Sequence, residues 1–119
     1  MSTNPIYSPS RTASGALIFV SGQIPVDAHG QFVGDDFRAQ ANAVLDRITD
    51  VLAANGESLS AVVKLSYFLT DLADLPVLRE VIAERLPDPK PASTLVHVSA
   101  LIDPRFRLEV EAVAGSTGS

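Results

Sequence analysis

The polarity of this chain changes period several times, and each change marks an element. From Phe37, apolar residues recur at Ala41, Val44, Leu45, Ile48, Val51 and Leu52, offsets of 4, 7, 8, 11, 14 and 15. That spacing follows an α-helix and makes one apolar stripe. Arg38, Asn42, Asp46, Arg47 and Asp50 fall on the opposite side. Gly34-Asp35 offers the N-cap, and Asn55-Gly56 the stop. A second helix is expected after Asp74, with Pro76 tolerated in its first turn and Leu75, Leu78, Ile82 and Leu86 as its buried stripe. Pro87, Pro89 and Pro91 end it as a stiff connector.

The remaining runs are rich in β-formers. Strands are expected from Ala16 to about Ser21, at Gln31 to Val33 and from Ala61 to Thr70, with a turn at Asp27 to Gly30. Pro91 to Ala114 reads as a hairpin of two alternating strands. Thr94, Val96, Val98 and Ala100 share a parity, as do Phe106, Leu108, Val110 and Ala112, and together they make an apolar face. Ser93, Leu95, His97 and Ser99 then meet Arg107, Glu109 and Glu111 on the other face.

The resulting order is β-β-α-β-α-β-β, an α+β domain in which two helices cover one face of a mainly antiparallel sheet. Several strands are apolar on both parities, for example Ile18 and Val20 against Leu17 and Phe19. The helices serve only one side, so other copies are expected to cover the second.

Composition narrows the chemistry. The 119 residues fit one domain, with a core of about 7–114 and a frayed tail at 115–119. There is no cysteine, which excludes disulfides, thiolate metal sites and cysteine nucleophiles. Nine Lys and Arg stand against fourteen Asp and Glu, a net charge of −5 without a basic cluster, so nucleic-acid binding is disfavoured. No apolar run is long enough to span a membrane, and the N-terminal MSTNPIYSPSR lacks the features of a signal peptide; a cytoplasmic protein is expected.

Several segments together resemble the RidA family, also called YjgF/YER057c/UK114. They are Tyr7, Ser21-Gly22-Gln23-Ile24-Pro25 after a strand, Phe68-Leu69-Thr70-Asp71 closing another, and Pro91-Ala92 leading to Leu108-Glu109-Val110-Glu111-Ala112. The resemblance implies a chorismate-mutase-like fold and a homotrimer whose sheets form a central barrel. It also implies small-molecule clefts between subunits and hydrolysis of reactive enamines or imines, such as 2-aminoacrylate, to keto acids and ammonia. No metal or organic cofactor is implied.

Carried over residue by residue, the resemblance makes Glu109 the catalytic carboxylate that positions water. Gly22 supplies a backbone amide, Leu95 a carbonyl, and Tyr7 borders the cleft. In active members an arginine follows the Pro-Ala pair and grips the substrate carboxylate; here that residue is Ser93. A serine offers one neutral hydroxyl where arginine offers a charged, planar fork, so substrate choice is expected to differ. His97 shares the parity of Glu109 and is a candidate proton relay or an interfacial contact. Arg107 is a candidate replacement for the missing guanidinium or one half of an ion pair with a glutamate. His29 reads as solvated and Arg105 as a turn residue.

Two readings follow. One is a hydrolase of an enamine, imine or related metabolite, with Glu109, Gly22 and Tyr7 retained. The other is a non-catalytic trimeric module that binds a metabolite or partner, favoured by Ser93 and the apolar Leu95. An endoribonuclease role is weakened by the acidic charge balance.

Overall fold

The long apolar stripe forms α1 (Phe37–Ala54) in a computed structural model that describes residues 6–116. Its cap is Asp36, one residue beyond the expected Gly34-Asp35 pair. Gly34 turns the chain at φ +103°, and Asp36, in extended conformation, then accepts a hydrogen bond from the Ala39 amide at 2.9 Å. At the far end the Asn55 amide donates to the last carbonyls and Gly56 takes φ +76°. Phe37, Ala41, Val44, Leu45, Ile48 and Leu52 are buried as the periodicity requires. Each large aliphatic among them contributes about 1.5–3 kcal/mol by leaving water.

The strands are β1 (Leu17–Gln23), β2 (Val62–Leu69), β3 (Ala92–His97) and β4 (Leu108–Gly115). The second helix, α2 (Leu75–Arg85), lies between β2 and β3 and buries Leu78, Val81 and Ile82. A single 3₁₀ turn, Leu72–Asp74, leads into α2, capped by the Asp71 carboxylate on the Ala73 amide. Asp74 holds the N-cap position of α2, yet its carboxylate caps nothing and turns to Arg107.

The sheet order is β1-β4-β2-β3, with β4 antiparallel to both neighbours and β2 parallel to β3. Two of the three pairings are antiparallel, as expected, and the parallel β2–β3 pair makes the sheet a mixed one. The expected final hairpin does not form. Alternation identifies which residues share a face of one strand, but not which strands are neighbours. The segment after His97 is long enough to carry the chain past the end of β2, where the Thr70 amide donates to the Arg107 carbonyl at 3.1 Å. The expected strand at Gln31 to Val33 shrinks to one bridge, Val26 to Phe32. Its polar groups are spent locally: Asp27 accepts from the His29 and Gln31 amides and closes the turn to Gly30. Strand β4 runs through Gly115; residues 117–119 of the expected tail lie outside the described residues.

Both helices sit on one face. Val20, Leu65, Tyr67, Leu69, Leu108, Val110, Ala112 and Ala114 point into the core beneath them. On the other face Phe19 is 73% exposed, Leu17 49% and Val96 40%. Nothing among the described residues covers that side.

Among the described residues one polar side chain is fully buried. Gln40 lies on the inner side of α1 and donates to the Gly34 and Arg105 carbonyls while accepting from the Arg107 amide at 2.9 Å. It clamps the approach to β4 onto the start of α1. In that approach Asp103 binds Arg105 through both carboxylate oxygens, which lowers the Asp103 pKa to about 2. Arg105 in turn lies over the Phe32 ring at 4.5 Å.

Candidate functional site

The sequence-derived candidates fall into two groups on opposite faces of the sheet. Register decides the division. Leu65, Tyr67 and Leu69 point toward the helices, and they pair with Ser93, Leu95 and His97. Phe68 and Ser66 point the other way and pair with Glu109 and Glu111. Cross-strand partners share a face. Strand β4 thus keeps the expected parity, whereas β3 has the reverse of it. Thr94 and Val96 are exposed on the bare face, and Leu95 packs on the core.

On the bare face, Glu109 lies against Gly22. The β1–β4 register breaks between Val20 and Gln23, leaving Ser21 and Gly22 as a bulge. A Cβ built on Gly22 would fall 2.0 Å from Glu109 Oε2. The glycine leaves room for the carboxylate to rest there, and any side chain at this position would have to push it aside. Glu109 is partly buried and makes no hydrogen bond or ion pair among the described residues. A carboxylate held against backbone with its oxygens unclaimed is suited to bind water or a polar hydrogen.

On the helix side, a cavity of about 220 Å³ opens beside β3 and α2. Ser93, Leu95 and Tyr7 line it, joined by Tyr67 and Arg79, with Ile6, Leu75 and Ile82 as apolar floor. Tyr7 is half exposed at the rim, while Tyr67 is 2% exposed and finds no hydrogen-bond partner among the described residues. Burial pushes the Tyr67 phenol well above its usual range, so it stays a neutral donor. Strand β3 is the edge of the sheet. Ser8 bridges its outer side, donating to the Pro91 carbonyl at 3.0 Å, and Val98 donates inward to Leu69. Backbone groups alternate along a strand, so the Leu95 carbonyl faces off the same outer edge as Pro91.

Two candidates go elsewhere. The His97 ring, expected beside Glu109, lies 3.2 Å from the Thr70 carbonyl on the opposite face, so the pairing with a strand carboxylate does not form within the chain. Arg107, expected on the Glu109 face, reaches Asp74 at 3.0 Å and lies 5.5 Å from the Phe37 ring. It precedes β4, and the Gln40 clamp aims it at the helices. Its partner is an aspartate on the helix side, not a strand glutamate. Burial raises the Asp74 pKa, with the Arg107 charge acting against that rise.

Sequence reasoning missed Tyr67 and Arg79. Tyr67 was absorbed into an apolar strand. Arg79 did leave a signal: its neighbours four before and three after are Leu75 and Ile82, so it borders the buried stripe with no acid at ion-pair spacing. Among the described residues, no group of three or more His, Cys, Asp or Glu is placed to hold a metal, and no helix is long and apolar enough to cross a membrane.

The family model described as Endoribonuclease L-PSP matches residues 2–116. The chain is 36% identical over 109 residues to the 3-aminoacrylate deaminase RutC of Acinetobacter baylyi, covering 91% of this chain and 85% of that one. Among solved structures, RidA from an Antarctic Psychrobacter superposes with a TM-score of 0.81 at 35% identity, covering 88% of this chain and 85% of that one. Escherichia coli TdcF with bound serine superposes with a TM-score of 0.79 at 27% identity, over 96% and 97% of the two chains.

Proposed function

Because the chain belongs to the RidA/YjgF/YER057c/UK114 family, we propose that it hydrolyses a small enamine or imine in clefts shared between subunits of a homotrimer. The observation that carries this reading is the Glu109 carboxylate, unclaimed by any described side chain and pressed against Gly22. The deaminase named among the relatives acts on 3-aminoacrylate, and TdcF is named with bound serine. Both are small, polar amino-acid-like molecules, and a cavity of about 220 Å³ suits that size.

Glu109 and the Ser93 cavity lie on opposite faces of one sheet, so a site using both draws them from two chains. The edge strand β3 of one subunit would then bring Tyr7, Ser93 and the Leu95 carbonyl to the Gly22–Glu109 face of the next. The enamine first takes a proton on carbon and gives one up from nitrogen, becoming the imine. Water adds across C=N, its oxygen to carbon and a proton to nitrogen. Glu109 accepts the proton from the attacking water and returns it to nitrogen. The carbinolamine then releases ammonia as its hydroxyl proton leaves, giving the carbonyl product. The Gly22 amide polarises the substrate, and the Leu95 carbonyl orients the water. No step calls for a cofactor. Ser93, uncharged where active relatives are expected to carry arginine, shifts substrate choice.

Release of ammonia from freshly generated 2-aminoacrylate tests the reading. The wild-type protein is expected to accelerate release, and Glu109→Gln to lose roughly 10²- to 10⁴-fold of that acceleration. A wild-type rate equal to the spontaneous one would leave the fold as a binding module.

A further inference from the structure

Seven arginines occur in the chain, and six are engaged. Arg38 pairs with Glu80 and Glu84, Arg47 with Asp50, Arg85 with Asp46, Arg105 with Asp103 and Arg107 with Asp74. Arg11 donates to the Pro89 and Lys90 carbonyls. Arg79 alone has neither hydrogen bond nor ion pair among the described residues, and it lines the cavity beside Ser93. Its nearest acids in sequence and along the helix, Glu80 and Glu84, are taken by Arg38.

We propose that Arg79, on α2, is the cation that holds the carboxylate of the ligand in this cavity, with Tyr67 and Ser93 as neutral hydroxyl donors. This assignment rests on the small-molecule reading above and names the chemical class that the cavity takes: a short carboxylic acid bearing an imine, enamine or keto group. Among the described residues the walls carry no carboxylate, and Arg79 is the only charged side chain lining the cavity. An anion entering it meets no repulsion from the lining, in a chain whose overall charge is −5. A guanidinium stays protonated at every accessible pH and presents two parallel N–H groups to a carboxylate. Tyr67 strengthens the case independently. The residue is 2% exposed, its hydroxyl has no hydrogen-bond partner among the described residues, and a ligand oxygen in the cavity it lines would supply one. At roughly 30 Å³ per water, the cavity holds about seven waters, room enough for a small carboxylic acid. The guanidinium expected directly after Pro91-Ala92 is thus supplied across the cavity, from the helix.

The test uses the intact protein with pyruvate as probe and pyruvamide as its uncharged counterpart, followed by NMR titration. Wild type is expected to prefer pyruvate. Arg79→Gln should weaken pyruvate binding roughly ten- to a hundredfold and abolish the preference, with Arg79→Lys recovering part of it. In turnover of 2-aminoacrylate, Arg79→Gln should raise KM while leaving kcat nearly unchanged. Arg79 is exposed and unbonded, so an unaltered thermal midpoint checks that the variant stays folded. Pyruvate binding that is indifferent to Arg79, or a wild type without preference for pyruvate over pyruvamide, overturns the assignment. Absence of 2-aminoacrylate turnover beside an Arg79-dependent preference would sink the enzymatic reading and leave this one standing. Turnover that ignores Arg79 does the reverse.

Discussion

A missing Cβ fixes where Glu109 rests. Gly22 does not have a positive φ, so alanine fits its backbone, and the only collision is with the mobile end of one side chain. Gly22→Ala is therefore expected to change stability by less than about 1 kcal/mol. It should displace the carboxylate by more than an ångström and cut 2-aminoacrylate turnover roughly a hundredfold, since misplacement on that scale costs about that much. Denaturant midpoint and initial rate, measured on one preparation, check both halves. Glu109 and Gly22 could be singled out from sequence because Ser21-Gly22-Gln23-Ile24-Pro25 and Leu108-Glu109-Val110-Glu111-Ala112 carry the family resemblance. The relation of Ser93 to Glu109 could not. Parity orders side chains within one strand, while the phase between strands comes from pairing, and β3 takes its phase from β2.

At the level of elements, α1 was legible to within a residue because its stripe and stop are local signals. The position of β3 beside β2 was not, because a parallel neighbour leaves no turn between the partners to announce it. Gln40 shows how a polar residue can be misread in the same way. It stands in phase with the apolar stripe, three after Phe37 and four before Val44, and the structure gives it three buried hydrogen bonds. Replacing it with leucine keeps the volume and strips partners from the Arg107 amide and from the Gly34 and Arg105 carbonyls. Gln40→Leu is expected to cost about 2–4 kcal/mol, given about 1–3 kcal/mol for each buried group left unpaired. Urea unfolding measures the loss, and faster amide exchange at Arg107 should accompany it.

For the whole molecule, the bare face is the dominant feature. Leu17 and Phe19 at the β1 edge and Val96 at the β3 edge would leave apolar side chains in water on a lone chain. The proposed threefold assembly predicts a particle of three times the 12.6 kDa chain mass in sedimentation. Phe19→Asp should yield single chains that keep their helical signal, because Phe19 is 73% exposed and contributes little to the core of its own chain. Those single chains should also be inactive, since the proposed site draws its two halves from different subunits.

The placement of β4 has a consequence for how the domain comes to be folded. Of the four described strands, β4 comes last in the chain and is the one both β1 and β2 need as neighbour, so Leu17 waits for Gly115. Loop closure over so long a span is slow, and until it happens the strand bearing Phe19 has an open edge on each side. A nascent or partly unfolded chain is thus most prone to sticking to its own kind through β1, whose Phe19 face the proposed assembly would cover.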